Sequence, residues 1–531
     1  MKKVKGIYLP LVLIILYLVV SYAMYRFGCY VWPFRNDLLT AIFVLLCIVA
    51  CGVGYVLAVK KYKGLEREDS ILSLSPEKVL IAACIISVIL YIPVCKAYTN
   101  SWYPPIVETL LNLKGTYYEL AGVALNRTGV RIWGFLDVFS YVLLPLALWA
   151  WDEVRKSVRF TAIIVAIAYL MTYISSARNI AVAIQMLSVV AVWLSVVFSK
   201  KKKGVARITL MSVAYVFLVA IFFGTTMSQR TGYDEKVYVA LQDATVTEQS
   251  GTNTIGSVAQ GESVEEIKEE SEEVIEREKE DQKKKEQNAE KIFERDAERY
   301  NKRGDGQTIG IGEYNKNGLV IDAVQLANFS TVYSVFPNYT DVWSKGYVNM
   351  NDVLVRNLPS TLSNLYAVGT VYITNGYNCL TVALHTPHQW TFGIGHSSFL
   401  SSYVDRFLGT DISSRTYYSR LSEDEEYPLV SKSLWPSTFV QWADDLTFVG
   451  VVVFMLLVGF CIAKVWASIL VNRNYWGVLL LGQLMLGVLF IPANNILENS
   501  GGFFVTFWSL FLAWLMSQIR AKKGHPSETD K

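Results

Sequence analysis

Residues 38–59, LLTAIFVLLCIVACGVGYVLAV, decide the fold. No charged side chain interrupts the run. A helix rises about 1.5 Å per residue, so about 20 apolar residues cross the roughly 30 Å hydrocarbon core of a bilayer. The stretch therefore predicts a membrane-spanning helix. Upstream, across the short link RFGCYVWPFRND, Gly6–Tyr25 predicts another. That first run resembles a signal peptide, but it lacks a small-residue cleavage site and more spans follow, so it reads as a retained helix. Downstream, apolar runs recur at Val79–Val94, Phe135–Trp151, Phe160–Ile174, Ile180–Phe198, Ile208–Gly224, Leu446–Ser468, Gly477–Pro492 and Phe503–Ser517. The expectation is an all-α polytopic membrane protein with about ten spans.

Composition agrees. The chain has 531 residues, of which 52% are hydrophobic, too apolar and too segmented for an ordinary soluble enzyme. A net charge of +3 without a basic, aromatic-interleaved patch excludes nucleic acid, and no glycine-rich phosphate loop occurs. The 7 cysteines (Cys29, Cys47, Cys51, Cys84, Cys95, Cys379 and Cys461) are scattered, mostly inside apolar runs. They form neither a metal-ligand spacing nor a disulfide framework.

Lysine and arginine of short loops stay cytoplasmic. MKKVKG, KKYKG, VRKSVR, KKKKGVAR, VNRN and the tail RAKKG all fall on one side if ten spans alternate. Both termini are then cytoplasmic. The chain divides into an N-terminal membrane domain (1–224, seven spans), an extracytoplasmic loop (225–445), a C-terminal membrane domain (446–519, three spans) and a tail (520–531). Within the loop, 262–303 is dense in charge and has no heptad seam, which reads as a solvated helix or spacer. Residues 322–427 turn aromatic and rich in Asn, Ser and Gly, a composition suited to sugars and read as a folded cap. Tyr366–Leu384 is apolar enough to re-enter the membrane but carries Asn375, Gly376 and Asn378, so it is left outside or partly embedded.

Within the cap, Tyr372–Tyr403 (YITNGYNCLTVALHTPHQWTFGIGHSSFLSSY) holds His385, His388 and His396, three of the chain's 4 histidines. Histidine is readily tuned to exchange protons near neutral pH. A packed loop whose histidines only satisfy hydrogen bonds fits the segment equally. Arg127, Arg131, Arg178 and Arg230 fall at the outer membrane face in this topology. Their planar donor forks suit phosphate oxygens, although snorkelling or pairing with carboxylates is common for such residues. Other acid–base candidates there are Glu108, Glu119, Asp444, Asp445 and Glu498. HTPH is poor geometry for a helical metal site, and no acidic cluster calls for a divalent metal. Asp137 is the main acid within a span, which counts against an ion-driven pump.

The chain resembles the bacterial oligosaccharide repeat-unit polymerases of O-antigen and capsule, the Wzy family. The resemblance rests on the span count, the large late loop, and the arginines of TYISSARNIAVAI and GTTMSQRTG. It rests too on YITNGYNCL with FGIGHSSF, and on PSTFVQWADDLTFVGVVVFMLLVGF. Residues 249–306 are an insertion outside it. The resemblance implies a GT-C-like glycosyltransferase, without cofactor, in the plasma (inner) membrane. It would join undecaprenyl-diphosphate-linked oligosaccharides on the outer face, beside flippase and chain-length-regulator proteins. Arg178 and Arg230 match the motifs, and topology adds Arg127, Arg131 and Arg356. His388 or His385 is the expected base, with Tyr377 and His396 on the substrate. Ligases acting on the same lipid share this architecture. A flippase would instead show internal repeats and charges along its spans, and a non-catalytic scaffold would use the charged insertion to bind partners.

Overall fold

The computed structural model describes residues 6–32, 34–60, 75–111, 133–176, 179–199, 205–230, 347–349, 351–422 and 435–523. The charged segment 262–303, the early part of the cap, Arg127, Arg131 and Arg178 lie outside these residues. In chain order the helices are α1 (Leu9–Phe27), α2 (Leu38–Lys60), α3 (Pro76–Thr99), α4 (Ile106–Leu111), α5 (Asp137–Trp149), α6 (Lys156–Ser175), α7 (Asn179–Phe198) and α8 (Val205–Arg230). Then follow α9 (Val353–Asn357), α10 (Ser360–Leu384), α11 (Ser398–Leu408), α12 (Ile412–Arg415), α13 (Tyr417–Ser422), α14 (Thr438–Asn472), α15 (Tyr475–Phe490) and α16 (Gly501–Lys523).

Among the described residues, 7 helices are long and apolar enough to cross a membrane: α1, α2, α3, α6, α7, α14 and α16. Shorter apolar helices stand at α5, in α8 and at α15, where the sequence places further spans. The chain is an all-α, multi-pass membrane protein. Side chains cap some of the helix starts. Ser397 accepts from Leu400 N at α11, Ser437 from Val440 N at α14, and Asn474 from Trp476 N and Gly477 N at α15.

Two packed groups build the bundle. In one, α1, α2 and α10 bury Leu18, Tyr25, Tyr55 and Tyr377 against the first part of α14. In the other, α3, α5, α6, α7 and α15 close around Trp466 and Ile469 from the last part of α14. That one helix belongs to both. Its contact with α2 is the closest in the bundle: a Cβ on Gly54 would meet the Leu456 carbonyl at 1.9 Å, and one on Gly459 the Cys51 carbonyl at 2.0 Å. The helices run parallel, since Phe43 packs on Phe439 and Phe448 at their starts while Tyr55 and Trp466 reach the Ile7 and Gly6 carbonyls near their ends, and small residues let the backbones touch at the crossing.

Residues 360–384, which include the stretch expected to lie outside or partly embedded, form one helix of 25 residues packed with α1, α2 and α14. Its polar side chains bond to α1, α2 and the turn between them. Trp32 Nε1 donates to Thr374 (2.7 Å), Thr40 to Thr381 (2.9 Å), and Tyr377 shares a hydrogen bond with Ser21 (3.0 Å). Gly376 is forced, because a Cβ there would lie 2.0 Å from the Pro492 carbonyl and 2.7 Å from Ser437 N. Strands β1 (Tyr30–Val31) and β2 (Tyr347–Val348) pair antiparallel and tie the same turn to the segment ahead of α9.

Candidate functional site

Helix α14 begins earlier than its apolar run, at Thr438, because Ser437 caps it. Asp444 and Asp445 therefore sit on an ordered helical turn, followed by a kink at Thr447 (φ 60°, ψ 166°). That conformation is almost confined to glycine, and such strain gathers at working sites. The loop after α10 folds around the carboxylates, with Phe392 and Gly393 both at positive φ. Asp445 accepts from Thr391 Oγ1 (2.5 Å), Gly395 N (3.2 Å) and His396 N (2.8 Å). The neighbouring Asp444 accepts from Tyr417 N at 2.7 Å.

His396 lies between two acids. Its Nδ1 donates to Asp445 Oδ2 at 2.7 Å, and its Nε2 is 3.6 Å from Glu498 Oε2. Burial opposes a charged imidazole, but the Asp445 hydrogen bond and the charges of Glu498 and Asp445 outweigh it, so the His396 pKa is raised above 6.5. Asn495 Nδ2 holds Glu498 Oε2 at 2.7 Å, fixing the third member.

Beside this cluster a cavity of about 510 Å³ sinks into the second helical group. Asp137, in the first turn of α5, stands in its wall and accepts from Tyr173 (3.0 Å) and Tyr98 (3.2 Å). Gly502 permits this approach, since a Cβ there would lie 3.2 Å from Asp137 Oδ2. Phe399, Tyr403 and Phe503 supply aromatic walls, Ser398 and Asn499 link the rim to the His396 loop, and Arg406 stands at the exposed mouth. Gln185 of α7 and Gln483 of α15 also line the cavity, although 6% and 1% exposed overall.

The expected site residues scatter. His396 joins Asp445 and Glu498, adjacent to the cavity. His385 Nε2 instead donates to Asp37 Oδ1 (3.1 Å). Asp37 lies below the usual carboxylate range: burial would raise its pKa, but the hydrogen bonds from His385 and Thr40 prevail. His388 Nε2 donates to the Asp444 carbonyl (3.0 Å), with its ring against Tyr417 and Trp390. Neither His385 nor His388 lines the cavity. Tyr377 is fully buried against Tyr22 and Tyr25, a packing position away from the cavity. Arg356 sits in the last turn of α9, also away from it. Arg230 ends α8, which runs on through GTTMSQR as helix. Arg178 directly precedes α7, whose Ile180 and Ala181 line the cavity.

Sequence reading singled out Asp137, Asp445 and Glu498 as acids, without their partners. It passed over Gln185, Gln483, Tyr98, Tyr173 and Arg406. For the two glutamines a signal was present: a polar amide inside an apolar run. The chain matches no family model, and neither curated proteins nor solved structures give a match.

Proposed function

We propose that the chain is a membrane glycosyltransferase joining oligosaccharide repeat units carried on undecaprenyl diphosphate into a surface polysaccharide. One observation carries the reading. A roomy cavity lined by a carboxylate, amides, hydroxyls and aromatic rings is sunk among apolar helices, where a lipid-borne sugar would arrive. About ten spans, an extracytoplasmic loop between the seventh and eighth, and cytoplasmic termini in the plasma membrane complete this reading, with the cavity facing outward. Flippase and chain-length-regulator proteins would be the partners.

In the reaction, the bond from the anomeric carbon to the diphosphate oxygen breaks as an acceptor hydroxyl oxygen bonds to that carbon. The hydroxyl proton passes to a base, and undecaprenyl diphosphate leaves as an anion. Asp137 is the carboxylate in the cavity wall, so it takes the base role in place of His385 or His388. Its tyrosine partners orient it. Arg178, Arg230 and Arg406 would offset the charge on the leaving diphosphate.

The test is the length of surface glycan, read as a gel ladder, in cells carrying Asp137→Asn or Arg178→Ala at normal membrane abundance. Collapse to a single repeat unit supports polymerisation. An unchanged ladder removes the altered residue from the mechanism. Loss of all glycan, with lipid-linked units accumulating on the inner leaflet, points to a flippase.

A further inference from the structure

The sequence of α11, SFLSSYVDRFL, divides into two sides at helical spacing. Phe399, Leu400, Tyr403, Val404, Phe407 and Leu408 fall on one, and Ser398, Ser401, Ser402, Asp405 and Arg406 on the other. At the first turn the apolar side is covered, with Phe399 against Phe135 and Phe504 (ring centroids 5.8 and 5.5 Å apart). At the last turn it is bare: Phe407 is 74% exposed and Leu408 73%. Hydrogen bonds hold this end in place. Asp405 accepts from Thr410 Oγ1 (2.6 Å), Ile412 N (2.8 Å) and Ser413 N (2.9 Å), which fixes the turn into α12, and Gly409 at positive φ closes the helix. Large apolar side chains presented on a fixed turn cost free energy in water and mark a surface that something covers.

Two observations identify the cover. First, the aromatic side of α11 runs unbroken onto a membrane-crossing helix. Phe407 meets Tyr403 (6.0 Å), Tyr403 meets Phe399 (4.7 Å), Phe399 meets Phe504 of α16 (5.5 Å), and Phe504 meets Trp508 (6.2 Å). Beyond Trp508, the exposed Leu512, Leu515, Met516 and Ile519 continue along α16, a surface that lipid tails cover. Second, the depth fits. A Cβ on Gly501, the first residue of α16, would lie 3.1 Å from the Phe399 ring. The 19 residues from Gly501 to Ile519 rise about 28 Å, close to the thickness of the hydrocarbon core, so α11 starts at its edge.

We propose that α11 is an interfacial helix, with Phe407 and Leu408 inserted into the lipid leaflet at the cavity's end of the bundle and Arg406 among the headgroups. The cavity rim, to which α11 contributes Ser398, Ser402 and Arg406, then opens at headgroup depth rather than into bulk water. The proposal rests on the membrane-embedded fold and stands apart from the glycosyltransferase reading.

The test uses the full chain in nanodiscs of phosphatidylethanolamine and phosphatidylglycerol, with a nitroxide on Phe407→Cys or, separately, on Leu408→Cys. Collision with oxygen, which concentrates in lipid, is compared with collision with a water-soluble nickel chelate. Leu512→Cys marks the lipid face of α16, Gln389→Cys marks a water-exposed site, and the unsubstituted chain gives the background of its own cysteines. At both α11 positions the oxygen-to-nickel ratio should rise several-fold above that of Gln389→Cys and approach that of Leu512→Cys. A ratio no higher than that of Gln389→Cys would leave the helix tip in water. Weak collision with both reagents would mean that protein covers it, from this chain or a second copy. Either result overturns the proposal.

Discussion

His396 shows how a single side chain gains meaning from its neighbours. Alone it is one of three histidines in a polar stretch. Between Asp445 and Glu498 its protonated form is favoured by two carboxylates. Its folded pKa is raised above 6.5, so the protonated form contributes stability that is complete below about pH 6.5 and is lost as pH rises through the folded value. The wild-type unfolding midpoint in detergent should therefore fall across that window, and His396→Gln should flatten the profile. An identical slope in the variant would refute the assignment. His396→Ala, which leaves Asp445 and Glu498 without the cation between them, should cost about 2 kcal/mol below the window, the worth of a hydrogen bond to a charged group. The sequence displayed the three histidines as equals because burial and partners are set by elements far apart in the chain. His396 and Glu498 meet from residues roughly a hundred apart, and no local pattern encodes that.

At the scale of elements, what was legible followed from length and hydropathy. The apolar runs reappear as helices, with ends shifted by a few residues. What was not legible had a polar face. Helix α10 spends its threonines and Tyr377 on α1, α2 and the turn between them, so it does not score as a span, and the first turns of α14 carry Asp444 and Asp445, so the apolar run shows that helix only from Leu446. The α2–α14 crossing was hidden for another reason: Gly54 and Gly459 look ordinary until the partner backbone is known. Gly459→Val should force the helices apart and destabilise by about 1–3 kcal/mol, as overpacking does, read as a lower unfolding midpoint in detergent. Gly52, with open space beside it, serves as the comparison, and Gly52→Ala should leave the midpoint nearly unchanged. Thr447 works in the opposite direction. Glycine accepts its backbone conformation, so Thr447→Gly should stabilise by about 1 kcal/mol. A loss of stability there would mean that no strain is stored at the kink.

Seen whole, the molecule gathers a group of basic residues at one end. Lys60, Arg155, Lys156, Arg159, Arg207 and Arg473 gather at the end where α5 turns into α6 and α14 into α15. There Arg155 pairs with Glu77, and Arg159 and Arg207 stack on Trp151. Asp37, Asp137, Asp445 and Glu498 lie at the other end, with the cavity. In the proposed topology these basic residues stay in the cytoplasm, and the cavity opens on the outer face. The orientation is measurable with little background, since six of the 7 cysteines are buried and Cys461 is partly covered. Gln389 and Asp152 are exposed at the opposite ends. A membrane-impermeant maleimide added to intact spheroplasts should label Gln389→Cys at once and Asp152→Cys only after the membrane is permeabilised. The reverse pattern would turn the cavity toward the cytoplasm, where the finished lipid-linked units on the outer leaflet could not reach it, and would remove the polymerase reading together with the assigned orientation.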